Sequence, residues 1–198
     1  MKPMEASKIA SVNLNVTWEP FYLNSSMPEE GEDMEAHLYK KYGIQGVQML
    51  KDPNAYLYVA GRKVGIEFTK KRNIYPTKKA HALMEYAKQE KSNDVANQMM
   101  EEMFQRYFEK GDNINSEDVL SEIATKVGID EAAAKEAVKD DKYLYEVNEK
   151  DKLYKQQMRI SGVPYFLIDR KDGQRPIGFS GAQPIDIMAE QLEEATEE

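Results

Sequence analysis

Residues 165–168 read Tyr-Phe-Leu-Ile, and their surroundings constrain the fold more than any other stretch of the chain. The run is short and rich in β-formers. It is bounded by Gly162 and Pro164 on one side and by Asp172-Gly173 on the other, which predicts a buried strand. Lys171-Asp172-Gly173 supplies a turn, because Asp-Gly tolerates positive φ. Residues 177–179 return as a second strand, placed at a sheet edge by Pro176, which cannot donate to a ladder. Pro184 opens a helix at a position where a missing N–H costs nothing. Ile185, Met188, Ala189 and Leu192 are its expected apolar stripe. The prediction is a β-hairpin followed by a helix, entered through a proline.

A second strand-forming stretch lies near the start. Val12, Leu14, Val16 and Trp18 alternate with Asn13, Asn15, Thr17 and Glu19, a period of two that predicts a strand with one apolar face. Pro20 ends it, and residues 2–11 before it read weakly as a helix. From Asp33 to Met158 the pattern turns helical. Residues 35–42 form one candidate, stopped by Gly43, and residues 46–60 a second, interrupted by Pro53. Residues 77–91 place Ala80, Leu83, Met84 and Ala87 on one face. Residues 94–110 would bury Met99, Met103, Phe104, Tyr107 and Phe108. Asn115 or Ser116 caps a helix burying Val119, Leu120, Ile123, Ala124 and Val127. Asp130 caps a short Ala-rich helix, and residues 141–158 form a charge-laced one. Strand-forming sequence thus flanks a long helical block.

Composition narrows the function classes. With 198 residues the chain fits one domain, or one domain with a large insertion. A net charge of −8 argues against nucleic-acid binding as the main task. Lys70-Lys71-Arg72 runs against that balance and reads as a solvated face. No apolar run is long enough to span a bilayer, so no membrane partner is expected. No signal peptide is visible from Met1, which predicts a cytoplasmic chain. The chain contains no cysteine, which removes a disulfide framework, a thiolate nucleophile and a Cys-ligated metal.

Several short motifs stand in a telling order: Trp18-Glu19-Pro20-Phe21 with Leu23-Asn24 and Met27-Pro28-Glu29-Glu30-Gly31; Pro76-Thr77 with Ala80-His81; Phe104, Tyr107-Phe108, Gly111-Asp112 and Ile114; Gly162-Val163-Pro164; and Ser180-Gly181-Ala182-Gln183-Pro184. Together they resemble the DsbA-like thioredoxin-fold family across nearly the whole chain. The nearest branch is the FrnE-like dithiol oxidoreductases, related to 2-hydroxychromene-2-carboxylate isomerases and kappa-class glutathione transferases. The resemblance implies an α/β thioredoxin-like fold with a large all-helical insertion. The core would be residues 1–27 and 159–198, and the insertion residues 28–158. It also implies that the proline matching Pro164 is cis and faces the active site. The family begins with a strand and a Cys-x-x-Cys at the head of the first helix. Met1-Lys2-Pro3-Met4-Glu5-Ala6 aligns inside that helix, so the first β-strand is expected to be absent, together with the catalytic motif. The central sheet slot would then be empty, filled by another chain, or closed by rearrangement. Self-association through exposed strand edges follows as an expectation.

No catalytic residue and no metal ligand is expected. Val163 and Pro164 are candidate substrate-binding residues for an extended peptide or for glutathione; the plainer reading is a proline opening an ordinary strand. Gly181, Ala182 and Gln183 precede a helix N-terminus, whose free N–H groups suit an anion such as a glutathione carboxylate; the plainer reading is a helix cap. Kappa-class relatives place a Ser-Asp pair where this chain has Ala182-Gln183. His81 and His37 have no partners at catalytic or metal-binding spacing and read as structural. Trp18, Phe21 and Asn24 resemble residues near the family's substrate groove, against a core role for the two aromatics. The leading expectation is a DsbA/FrnE-like oxidoreductase homologue without the means for thiol chemistry. The alternatives are a kappa-type glutathione-binding transferase or isomerase, and a non-catalytic binding module.

Overall fold

Four helices whose apolar residues recur at helical spacing carry the main core of the protein, for which a computed structural model describes residues 14–170 and 172–196. The helix expected over residues 2–11, Val12 at the start of the expected strand and Lys171 of the expected turn lie outside the described residues. The chain divides into two units, one of Thr17–Asp151 and one of residues 14–16 with 152–170 and 172–196.

The first unit is almost wholly helical. After β1 (Glu32–Asp33) come α1 (Met34–Lys51), α2 (Tyr56–Lys63), β2 (Asn73–Ile74), α3 (Lys78–Glu90) and α4 (Asn93–Phe104). A π-helical turn, Gln105–Lys110, prolongs α4, and α5 (Glu117–Lys126), α6 (Glu131–Ala137) and α7 (Asp141–Lys152) follow. Ala80, Leu83, Met84 and Ala87 of α3 are at most 5% exposed. They pack with Ala96, Met99 and Met103 of α4, Leu120, Ile123 and Ala124 of α5, Ala134 and Ala137 of α6, and Tyr143. Side-chain caps start these helices: Ser92 accepts from Val95 N, Ser116 from Val119 N and Asp130 from Ala133 N, each satisfying an otherwise orphaned donor. Of the two cap candidates for α5, Ser116 does the capping. Asn115 is instead buried and donates from Nδ2 to the Glu29 backbone and carboxylate. Gly43 interrupts α1 with φ 64°, ψ −156°, where the sequence expects the first helix to stop, and the second helix expected over residues 46–60 is divided between the end of α1 and α2, with Pro53 in the break between them. Phe104, expected in the core, is 39% exposed: it stands where the α-helix widens into the π turn, with its ring edge-on to Trp18, 5.5 Å away.

Residues 17–22 belong to this helical unit, although the expected boundary lay after residue 27. A network of five charged side chains holds them. The Lys88 ammonium donates to the Trp18 carbonyl at 2.8 Å and pairs with Glu19 at 3.3 Å and with Glu85 at 2.7 Å. Lys150 pairs with Glu19 and Glu85 at 2.9 Å each. The Tyr22 N–H donates to Asp151 at 2.7 Å. Glu85 is almost fully buried, which is tolerable only because two ammonium groups meet it. The strand expected over residues 12–18 does not form within its described part, 14–18. Leu14 and Val16 are about half exposed, so the alternation does not bury one face there as a strand in a sheet would.

The second unit holds the hairpin. A π-helical turn, Leu153–Gln157, leads to β3 (Tyr165–Ile168), β4 (Ile177–Ser180) and α8 (Ile185–Thr196). β3 and β4 are antiparallel, with Tyr165 opposite Ser180 and Ile168 opposite Ile177, as the sequence predicts. Phe166 stacks on Phe179 across the pair, ring centroids 5.1 Å apart. Ile185 departs from the expected stripe of α8 and is 80% exposed. It sits in the first turn, before the helix reaches β3, and Met188, Ala189, Leu192 and Ala195 carry the covered face instead.

Candidate functional site

The hairpin unit contains all five candidate binding residues. The Val163–Pro164 peptide bond is cis. The Pro164 carbonyl accepts a hydrogen bond from the Gly181 N–H at 2.8 Å, which ties the entry of β3 to the exit of β4. Gly181 has φ +83°, a region L side chains rarely adopt, so glycine lets the chain leave β4 and turn into α8. Gln183 donates from Nε2 to the Ser180 carbonyl at 2.8 Å, and the Met188 N–H donates to the Pro184 carbonyl at 3.0 Å, closing the first turn of α8. The structure therefore brings Pro164, Gly181 and Gln183 into one hydrogen-bonded corner, with Ala182 on its outer turn.

Val163 is 48% and Leu167 45% exposed. Leu167 lies on the same side of β3 as Tyr165, because alternate residues of a strand share a face, whereas Val163 precedes the strand, in the bend at the cis bond. Among the described residues β3 pairs with β4 alone, so the N–H and C=O groups on its other edge have no strand partner. At the far end of β3, Arg170 pairs with Asp172 at 3.0 Å and with Glu194 of α8 at 3.2 Å. The Asp172 carboxylate beside it holds the guanidinium pKa up, and Arg170 in turn draws Asp172 below the usual carboxylate range. This clamp escaped the sequence reading; the acidic Asp172 two residues after Arg170, followed by a turn glycine, is the signal that could have found it.

The other residues singled out in the sequence lie in the helical unit. His37 Nδ1 is 2.7 Å from Glu32. The His81 ring lies against Tyr22, centroids 5.7 Å apart. Burial lowers its pKa to about 4, against the opposing pull of a hydrogen bond with the Phe21 backbone and of Asp151, so the ring is neutral at pH 7. Burial and nearby Asp151 together push the Tyr22 phenol up. Burial alone would lower the Lys150 pKa, but Glu85 and Glu19 outweigh it and hold it above its ordinary value. Asn24 accepts from Ser26. Among the described residues no group of three or more His, Asp or Glu side chains is placed to hold a metal ion, and no helix is long and apolar enough to cross a membrane.

With this geometry in view, the comparisons are decisive for the family. The profile of the DSBA-like thioredoxin domain matches residues 3–193. The chain belongs to the DSBA-like thioredoxin domain family. Its α/β thioredoxin-like fold carries a helical insertion. Among solved structures, a probable DsbA oxidoreductase from Streptomyces coelicolor is similar to this DSBA-like domain, with a TM-score of 0.73 and 23% identity over 88% of this chain and 72% of that one. At that identity the likeness concerns the fold. No curated protein matches the chain.

Proposed function

We propose that this DSBA-like chain is of the FrnE type and serves as the docking frame of a thiol–disulfide oxidoreductase, presenting Val163, Pro164 and the edge of β3 to an extended peptide. The exchange reaction needs a thiolate to attack one sulfur and expel another. None of the 198 residues is a cysteine, so the sulfur nucleophile is not among them, and recognition is the part of the chemistry these residues can supply. The observation that carries this reading is the β3 edge, which has no strand partner among the described residues and follows directly on the exposed Val163 and the cis Pro164. A peptide laid along it would gain main-chain hydrogen bonds by strand addition, and the exposed Val163 and Leu167 would contact its side chains. The same edge is the route by which a second copy would associate.

A glutathione-like ligand is the second reading, favoured by the glycine corner that opens α8. It ranks lower because the Gln183 amide already donates to Ser180. Amide-resolved NMR titration separates the two. A short Val/Thr-rich peptide is expected to perturb the amides of 163–168. Reduced glutathione perturbing 181–185 instead would transfer the site to the second reading. No saturable change with either ligand would overturn both.

A further inference from the structure

Lys70, Lys71 and Arg72, which read as a solvated face in the sequence, line a cavity of about 360 Å³ in the helical unit, together with Asp33, Glu35, Asn73 and Gly111. We propose that this cavity is a binding site for a small oxyanion, a phosphate- or carboxylate-bearing molecule, with Arg72 as its fork and Lys71 as its second cation.

Three observations carry the proposal. The first is unmatched charge. The Glu35 carboxylate facing the cavity is taken by Lys51 at 2.7 Å, and Asp33 is committed to capping α1 through Ala36 N. Among the described residues no carboxylate forms an ion pair with Lys70, Lys71 or Arg72. Lys70 donates to the Lys51 carbonyl at 2.9 Å and lies over the Tyr58 ring. In the same unit Lys88, Lys150 and Arg106 each meet two carboxylates, so leaving three adjacent cations without one is a local choice.

The second is a prepared guanidinium. Arg72 lies over Tyr107 and Phe108, 4.4 and 5.1 Å from the ring centroids. Stacking on aromatic faces fixes the plane of the fork, a hydrogen bond to the Tyr107 side chain holds it further, and the fork's remaining N–H groups match the oxygens of a phosphate or carboxylate.

The third is a fixed backbone. The Thr69 N–H donates to the Phe108 carbonyl at 2.8 Å, and the Arg72 carbonyl accepts from Met34 N at 3.3 Å. Asn73 is paired with Asp33 across β1 and β2. Gly111, at φ +79°, presses so close that an added Cβ would stand 2.6 Å from the Lys71 carbonyl. The segment bearing the cations is therefore anchored on both sides. A cavity of this size suits a small molecule rather than a polymer.

The test is amide-resolved NMR titration of the full chain with inorganic phosphate and, separately, with succinate, at ionic strength held constant with sodium chloride. Saturable shifts confined to amides 69–73 and 111 are expected. Phosphate alone acting assigns a phosphoryl ligand, succinate alone a carboxylate ligand, and both a general oxyanion site. Arg72→Lys keeps the charge but loses the fork, and should weaken binding about tenfold. Lys71→Glu, at an exposed position, should abolish it and remains readable if the Arg72 variant fails to fold. No saturable shift with either anion in the wild-type chain, or equal binding by Lys71→Glu, would overturn the proposal.

Discussion

The two units of this domain bury their apolar residues very differently. In the helical unit Ala82, Leu83, Ala87, Met99, Leu120, Ile123, Ala124 and Ala134 are fully out of water. In the hairpin unit β3 and β4 contain no fully buried residue, and Ile160 and Ala195 are the buried apolar residues among those described. A two-stranded hairpin is at best marginal by itself. The helical unit thus holds its own core, whereas in the hairpin unit β3 has, among the described residues, a strand partner on one edge only.

The sharpest way to break this contrast is a pair of truncations. Leu83→Ala removes a side chain with no exposure and should cost about 3 kcal/mol, within the usual range for a buried leucine. Phe166→Ala removes a half-buried ring stacked on Phe179. It should leave the main urea transition of the helical unit unchanged within about 0.5 kcal/mol, while removing the protection of amides 165–168 from hydrogen exchange. Equal shifts of the main transition in both variants would show that the two units unfold as one.

A second test sharpens the account of the helical unit through pH. Burial holds His81 at about 4 in the folded chain, below its ordinary 6.5. Between those values the unfolded chain binds the extra proton, so stability is full above pH 6.5 and falls as pH drops toward 4. The full loss is about 3 kcal/mol. Glu19, held low by Lys150 and Lys88 against its own burial, adds its loss only below the ordinary carboxylate value. Urea midpoints at pH 7.5, 5.5 and 4 should therefore decline in the wild type. In His81→Gln the decline between 6.5 and 4 should flatten. An unchanged slope in the variant would remove His81 from the explanation.

How much of this was legible beforehand follows the same divide. Helical periodicity named Ala80, Leu83, Met84 and Ala87 correctly, because a 3.6-residue repeat reports burial against whatever lies opposite. The β3–β4–α8 unit was equally readable, since its signals are local: Asp172-Gly173, Pro176 and Pro184. The strand expected at Val12, Leu14, Val16 and Trp18 failed within its described part because alternation states which face is apolar and says nothing about a partner. The pairing of Glu85 with Lys88 and Lys150, and the stacking of Arg72 on Tyr107 and Phe108, join residues far apart in sequence. No spacing rule reaches them, and a run of three cations reads as solvent-facing until its neighbours are known. For the binding corner, the proline and glycine were visible, but the hydrogen bond from Gly181 to Pro164 depends on strand register.

The smallest effect concerns how the helices of the larger unit begin. Ser116 accepts from Val119 N at the start of α5, and the next residues of that helix bury Leu120 and Ile123 completely. Ser116→Ala leaves that N–H without its side-chain acceptor and should cost about 1 kcal/mol. Ser116→Asp should restore the cap and place a negative charge at the positive end of the helix. Glu117 and Asp118 already stand in that first turn, however, so their repulsion should hold the gain to a few tenths of a kcal/mol. If the core alone sustained the helical unit, Ser116→Ala would melt like the wild type. A loss recovered by Ser116→Asp would show that α5 needs its cap even with a completed hydrophobic face.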